Sequence, residues 1–271
     1  IAGVPIVITS IRNIDDWKKR PHFIFENLYS RFVDRIVCNA QAIIDFEFST
    51  HRIPKEKYRL IYNGVSQDFL ATSPAENMPN GGEPPHIGNV SSLTEKKDHR
   101  SFVLAAEKIR EKLPDAVFFI VGKGPEHERI QQLLRSKRLQ QAFTIVHTRQ
   151  DADLTALLDR FAFLIQSALR EGCSNVILEA MARGRPGIAT DVGGNAEIIQ
   201  HGVSGIIVPK KDYHRMAEAA VDLVRSPFAY RKMSESARAT IEKRFTLSNM
   251  VGNTQSLYEE LIYLKGVRSG R

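Results

Sequence analysis

Short β-branched or apolar runs alternate with segments of helical period along nearly the whole of this 271-residue chain. Val4–Thr9 (VPIVIT), Arg35–Ala40 (RIVCNA) and Tyr58–Tyr62 read as strands, with helical spacing at His22–Phe32 (Phe25, Leu28, Phe32) and Gln41–Thr50. Ile87–Leu93, Ala116–Val121, Phe143–His147, Phe161–Gln166, Gly187–Thr190 and Ser204–Val208 continue the series. Helices are expected from the TEKKDH loop through Leu113, over Glu126–Arg138, and over Tyr213–Val224, Ala229–Arg244 and Ser248–Tyr263. Strands that alternate with helices across short loops argue for βαβ units and parallel sheets, an α/β fold. Ala71–Pro85 (ATSPAENMPNGGEPP) breaks the pattern: four prolines, a Gly pair and no periodicity make a linker. It divides residues 1–70 from a second domain at 86–246, with a terminal helix and tail at 247–271.

Several function classes drop out on composition. No apolar run approaches ~20 residues, so no membrane span is expected, and Ile1–Ile8 is too short and lacks a basic leader for a signal peptide. A chain that opens on a strand without Met reads as a fragment. Two distant cysteines predict a reducing, cytoplasmic setting, with Cys38 a buried strand thiol and Cys173 a loop thiol. The net charge of +7 comes from Lys and Arg interleaved with acids, and no nucleic-acid-binding motif appears, so nucleic acid is not an expected partner. Lys18–Lys19–Arg20 reads as a solvated run, with a membrane headgroup as its weaker alternative. No Cys/His spacing of metal type is present. Asp151–Ala152–Asp153 precedes LTALLDR, which makes Asp153 an N-cap or first-turn acid rather than a metal ligand.

The chemistry concentrates in Arg170–Ile199 (REGCSNVILEAMARGRPGIATDVGGNAEII). Glu171 and Glu179 stand with seven residues between them, joined by an Ala- and Met-rich helical pattern. Gly172 permits a sharp turn, and Ser174 or Asn175 suits the helix N-cap. The first N–H groups of such a helix lack intrahelical partners and attract anions. Carboxylates accept hydrogen bonds from vicinal hydroxyls, so acids bracketing that helix end suit a ligand with hydroxyls on both sides of a phosphate. A nucleotide-sugar is such a ligand. The plainer alternative is a surface helix with two solvated acids.

The same run, with E-x7-E, EAMA, G-x-P, ATDVGG and the following Glu197, closely resembles the donor-binding signature of family 4 glycosyltransferases. RFTLSNM and LYEEL resemble that family's terminal helices, and IYNGV the close of its N-terminal domain, so the resemblance spans about Val4 to Leu264. It implies a GT-B-like fold of two Rossmann-type parallel-sheet domains, the N-terminal one incomplete, with the last helix crossing back onto it. It also implies a metal-independent, retaining hexosyl transfer from a UDP- or GDP-type sugar to a hydroxyl acceptor, a sugar or lipid-linked sugar, with no cofactor. Peripheral membrane contact goes with such acceptors.

By that resemblance Glu171 holds the sugar hydroxyls, Glu179 the ribose, and Lys97 with the amides of Cys173, Ser174, Asn175 and Val176 the diphosphate. Gly122 and Gly124 line the donor cleft, and the loop carrying His147, Thr148 and Arg149 meets the base. Two expected groups are missing: Arg12 and Asn13 stand where a His is usual, and Ser92 where an Arg is usual. Arg12, Arg149 or the helix amides are the candidates to compensate. Other readings stand beside these. Asn63–Gly64 is read as a simple turn, Gly122–Gly124 as a tight turn or an incomplete dinucleotide fingerprint, and His147 as structural or a base. The whole chain is alternatively a non-catalytic nucleotide-binding module.

Overall fold

Alternate residues of the central strands are claimed by two different apolar layers, and this organises the larger part of the molecule. On β5 (Val117–Val121), Phe118 and Ile120 face one core while Phe119 and Val121 face the other. A strand buried on both faces belongs inside a parallel sheet covered by helices on each side. The computed structural model describes residues 3–14, 20–51, 53–70, 84–147 and 151–266, the side chains at 20 and 151–153 excepted.

The six-stranded sheet runs β6-β5-β4-β7-β8-β9, all parallel. Its other strands are β4 (His86–Val90), β6 (Phe143–Val146), β7 (Phe163–Gln166), β8 (Gly187–Thr190) and β9 (Gly205–Val208). One face packs on α4 (His99–Arg110), α5 (His127–Ser136) and α9 (Tyr213–Arg225), through Phe102, Ile109, Ile130, Met216 and Ala220. The other packs on α7 (Asn175–Ala182) and α10 (Pro227–Arg244), through Ile177, Leu178, Met181, Ala237 and Ile241. α6 (Asp151–Arg160) and the short α8 (Asn195–Ile198) complete this half. The Gly184–Arg185–Pro186 breaker after α7 is held from within: Gly184 is left-handed (φ 67°), and Ser234 donates to its carbonyl at 2.6 Å. Buried Arg185 donates to the Asp159 carbonyl at 2.8 Å.

The first sheet is three parallel strands in order β1-β2-β3: β1 (Ile8–Ile11), β2 (Arg35–Cys38) and β3 (Tyr58–Leu60). α1 (Arg20–Tyr29), α2 (Gln41–Thr50) and α3 (Gln67–Leu70) follow them in sequence. α11 (Leu247–Lys265) returns to this sheet, burying Leu257 and Leu261 beside Ile61, with Ile8 and Val37 packed against them. Glu260 pairs with Arg35 at 3.0 Å and Lys265 with Asp34 at 2.7 Å along its edge.

Several elements differ from expectation. β1 starts at Ile8, not Val4, because the Val7 N–H donates to the Asp34 carboxylate (2.9 Å) instead of entering the ladder, and Val4 is exposed. α1 forms as expected but ends at Tyr29, so Phe32 falls in a following 3-10 turn (Ser30–Phe32), and Phe25, Leu28 and Phe32 are all exposed. α4 begins at His99, where the expected loop ends, after a 3-10 turn at Glu95–Lys97 and a left-handed Asp98 (φ 45°), but it stops at Arg110 and not Leu113. Strand ends elsewhere move by one to a few residues. Residues 71–83 of the expected linker lie outside the described residues.

Asn63–Gly64 is not a free turn. A Cβ on Gly64 would stand 2.4 Å from the Thr246 carbonyl oxygen, and Val65 bonds the chain on both sides, to Phe245 O (2.8 Å) and from Leu247 N (2.9 Å). Gly64→Ala therefore forces apart the seam that carries α11. A loss of about 1–3 kcal/mol is expected, read as a lower urea midpoint with faster amide exchange in Leu247–Lys265. An unchanged midpoint and exchange pattern would contradict this seam.

Candidate functional site

In the six-stranded sheet β4 is followed on one side by β5 and has β7 on its other side, so the chain reverses its direction of travel at the β4–β7 pair. Loops leaving the carboxyl ends of those two strands diverge and leave a crevice, the place where open α/β sheets take ligands. Here the two loops are Ser91–Asp98 and Ser167–Ser174.

The first loop is shaped to aim Lys97. Asp98, turned left-handed, accepts from the Ser101 N–H (3.3 Å) and hydroxyl (2.6 Å), which caps α4 and leaves Glu95–Lys97 as a separate turn. From it the Lys97 ammonium reaches the Glu171 carboxylate of the second loop in a close ion pair. Both side chains keep only 13% of their exposure. The loops are also tied beneath that pair: Ser167 donates its hydroxyl to Lys97 O (3.0 Å), and Leu169 its N–H to Lys96 O (2.8 Å).

A buried polar chain supports them from below. Asn89 donates to Ile165 O (2.9 Å), and Ser91 donates its proton to Asn89 Oδ1 (3.0 Å). His99 Nε2 lies 3.1 Å from the same Ser91 oxygen, so with that proton committed the Nε2–H is the donor. Burial, and then the nearby Lys97 charge, push the His99 imidazole down to about 4. It is neutral at physiological pH, and Lys97 carries the local positive charge alone among these groups.

Glu171 leads into α7 through Gly172, and neither Gly172 nor Gly193, which faces Glu171, has room for a side chain. A Cβ on Gly172 would lie 2.1 Å from the Arg12 carbonyl oxygen, and one on Gly193 (φ 53°) 1.8 Å from the Glu171 carbonyl oxygen. Gly194 N–H donates to Gly172 O at 2.7 Å. α7 starts at Asn175 as expected, but Ser174 is buried and its hydroxyl makes no capping bond. Cys173 is a buried free thiol, pushed up to about 11 chiefly by burial, and Cys38 likewise to about 12. Neither is a thiolate at neutral pH. Glu179 sits half-buried on α7.

The strand ends of the first sheet face this crevice. Asn63, after β3, accepts from Arg12 (2.6 Å), the residue after β1, and from Asn39 (3.5 Å), the residue after β2. Its amide nitrogen donates across to Cys173 O (3.2 Å) and Asn175 Oδ1 (2.6 Å). Glu197 on α8 makes a second link. Its carboxylate accepts from Gln41 N–H (2.7 Å) and Ala42 N–H (2.9 Å), capping α2 from the other sheet, and from the Tyr62 hydroxyl (2.8 Å). Burial, with the Glu197 bond adding to it, pushes that phenol up to about 12. Asn63 and Glu197 were not assigned roles from sequence. Their only signal is position, a polar residue just past a strand or in the helical turn after the Gly pair.

Gly122 (φ 151°) and Gly124 (φ 157°) are close-approach residues: a Cβ would meet the Ser91 oxygen at 1.9 Å and the Leu93 oxygen at 2.3 Å. They wrap the Ser91–Leu93 loop, as the tight-turn reading expects. His147 donates Nδ1–H to Gly122 O (2.8 Å), its ring 5.5 Å from that of His127. Thr148, Arg149 and the side chains of Asp151 and Asp153 lie outside the described residues. Lys97 and Glu171 thus meet just ahead of the Cys173–Val176 turn into α7, with Arg12 joined to that turn through Asn63. Among the described residues no group of three or more His, Cys, Asp or Glu is placed to hold a metal ion.

Residues 84–226 match the family model described as glycosyl transferases group 1. The N-acetyl-alpha-D-glucosaminyl L-malate synthase of Bacillus anthracis is 31% identical over 65% of this chain and 45% of its own length. A GDP-mannose-dependent alpha-(1-6)-phosphatidylinositol monomannoside mannosyltransferase of Mycobacterium tuberculosis (strain ATCC 25618 / H37Rv) is 32% identical over 82% of this chain and 56% of its own. The chain thus spans about half the length of these relatives. In fold it matches Anabaena Alr3699/HepE, solved in complex with UDP-glucose, at TM-score 0.81 and 19% identity over 95% of this chain and 72% of that one. S. aureus TarM, solved with UDP, matches at 0.81 and 18% over 93% and 50%.

The neutral His99 links the site to stability. The folded protein holds this imidazole at about 4 against an ordinary 6.5, so between those values the unfolded chain binds the extra proton and stability falls as pH falls. Lowering pH from 7 to 4.5 should cost the parent about 2 kcal/mol more than His99→Gln, measured as urea midpoints. Parallel pH curves for the two proteins would count against a buried neutral imidazole.

Proposed function

Since the chain belongs to the glycosyl transferases group 1 family, we propose that it moves a hexosyl unit from a nucleotide-diphosphate sugar of UDP or GDP type to a hydroxyl acceptor. The observation that carries this reading is the Lys97–Glu171 pair at the sheet's reversal point, directly before the N-terminus of α7. Cation, carboxylate and helix end match the three parts of such a donor. As the glycosidic oxygen departs with the diphosphate it gains negative charge, and Lys97 with the first amides of α7 stabilises it. Glu171 accepts hydrogen bonds from the sugar hydroxyls and, one and a half turns along the helix, Glu179 from the ribose.

A low-exposure ion pair suits this work. Each charge keeps the other in place at low dielectric, and an incoming diphosphate competes for Lys97 while the sugar hydroxyls satisfy Glu171. The reading includes retention of anomeric configuration and no metal, because lysine and amide dipoles take the place a divalent ion would fill beside the diphosphate. The acceptor enters from the first sheet's side, past Arg12 and Asn13. A lipid-linked acceptor would bring the protein to the inner face of a membrane; no described helix is long and apolar enough to cross one.

A thermal-shift panel of UDP-, GDP- and ADP-sugars, followed by donor hydrolysis and transfer assays, tests this. Lys97→Ala should lower turnover by roughly 10²–10³-fold, and Glu179→Ala should weaken diphosphate binding by about tenfold with less effect on turnover. Turnover should survive EDTA. Nucleotide binding without hydrolysis or transfer would mark a binding module, and a Lys97→Ala protein as active as the parent would remove the assignment of the cation.

A further inference from the structure

The amide chain Arg12–Asn63–Asn175 has a direction that can be read from the donors at its start. An arginine guanidinium only donates, so its bond at 2.6 Å makes Oδ1 the Asn63 atom that faces Arg12. The Asn39 amide nitrogen lies 3.5 Å from the same oxygen and agrees with it. Asn63 Nδ2 must then face the second sheet, where it meets two acceptors, Cys173 O at 3.2 Å and Asn175 Oδ1 at 2.6 Å. The Cys173 carbonyl can only accept, so a flipped Asn63 would set oxygen against oxygen on one side and nitrogen against guanidinium on the other. The usual ambiguity of an amide's orientation is therefore removed at Asn63 and, through it, at Asn175. With Oδ1 of Asn175 committed to Asn63, its Nδ2 is the end turned away from Asn63. Asn175 is exposed at the first turn of α7, four residues before Glu179 in the helix beside the Lys97–Glu171 pair.

We propose that Asn63 is a positioning residue that fixes Asn175 as a hydrogen-bond donor toward the anionic part of the ligand. The diphosphate then meets NH groups at α7 and no carbonyl oxygen. The inference rests on the donor reading given above. It also gives Arg12 a part other than direct phosphate contact: its guanidinium sets the polarity of the chain, at a place where an acceptor would reverse it. Because Arg12 and Asn63 belong to the first sheet and Asn175 to the second, the correct amide orientation exists only while the two sheets meet. The Glu197 carboxylate, on the α2 N–H groups and Tyr62, holds that meeting in register. Domain approach is thereby coupled to donor recognition.

Two variants test it in the full 271-residue chain. Asn63→Asp keeps size and the Arg12 contact but presents oxygen to α7, so Asn175 must turn its own oxygen toward the ligand. Asn175→Ala removes the donor at an exposed position and leaves the core intact. UDP, GDP and the nucleosides uridine and guanosine are titrated calorimetrically against both variants, their double variant and the parent, with thermal midpoints followed alongside. The expected result is a loss of roughly tenfold or more in affinity for the better-bound diphosphate in each single variant, with nucleoside affinity unchanged. In the Asn175→Ala background the Asn63→Asp penalty should shrink several-fold, since most of it acts through Asn175. Equal penalties in both backgrounds would assign the effect to the new charge and overturn the proposal, as would equal losses for nucleoside and diphosphate. A parent that binds neither diphosphate would sink the donor reading and this inference with it; tight binding by the parent and an unaltered Asn63→Asp would sink this inference alone.

Discussion

Backbone meets backbone at the junction of the two sheets, and everything at the site follows from that closeness. Gly172 lies against the Arg12 carbonyl, Gly193 on the Glu171 carbonyl, and Gly194 against both Gly172 O and the Ala40 side chain. A single methyl at Gly172, Gly193 or Gly194 would need space that is already filled. Because the contact is so tight, strand-end residues from the first sheet reach the start of α7 with short side chains. Asn63, with Asn39 behind it, suffices where a longer and more mobile residue would otherwise be needed. Short side chains lose little conformational entropy on ordering, which makes the junction a precise one.

Charge at the crevice is arranged with the same economy. Lys97 stands over Glu171 at low exposure, and the nearest imidazole, His99, is held neutral by burial and by Lys97 itself. A second cation there would weaken the pair's hold on Glu171, while an unpaired buried carboxylate would cost several kcal/mol. The polar chain through Asn89, Ser91 and His99 supports the same loop without adding charge. Cys173, close by and buried, keeps its proton and contributes its carbonyl to Asn63, not a nucleophile.

Much of this was legible in the residues. The apolar runs of the second half announced a parallel sheet covered on both faces, and Phe118/Ile120 against Phe119/Val121 divides between two cores as such a run must. The E-x7-E stretch, with glycines on either side, contains the Glu171 that Lys97 reaches. Misreadings cluster where a distant partner overrides local pattern. β1 starts late because Asp34, 27 residues away in sequence, takes the Val7 N–H. The helical spacing of Phe25 and Leu28 marks α1 correctly, yet period alone does not say which face is buried, and here both are exposed. Asn63–Gly64 carries the local signature of a turn, and that signature is blind to Thr246, which closes on Gly64 from 182 positions further along the chain.

By itself the sequence determined the alternation of strand and helix, the breaks at Gly and Pro, and the cluster of acids, glycine and helix start that makes an anion-seeking end. Those are local properties, set by backbone sterics and by side-chain period within a dozen residues. Tertiary structure alone decided that Lys97 pairs with Glu171, that His99 loses its charge, that Glu197 caps a helix of the other sheet, and that Asn63 faces Arg12 with its oxygen. Each of these depends on which groups long-range packing buries or brings together, and hydrogen bonds need partners within about 3 Å. Residue types name the possible partners; only the folded chain selects among them.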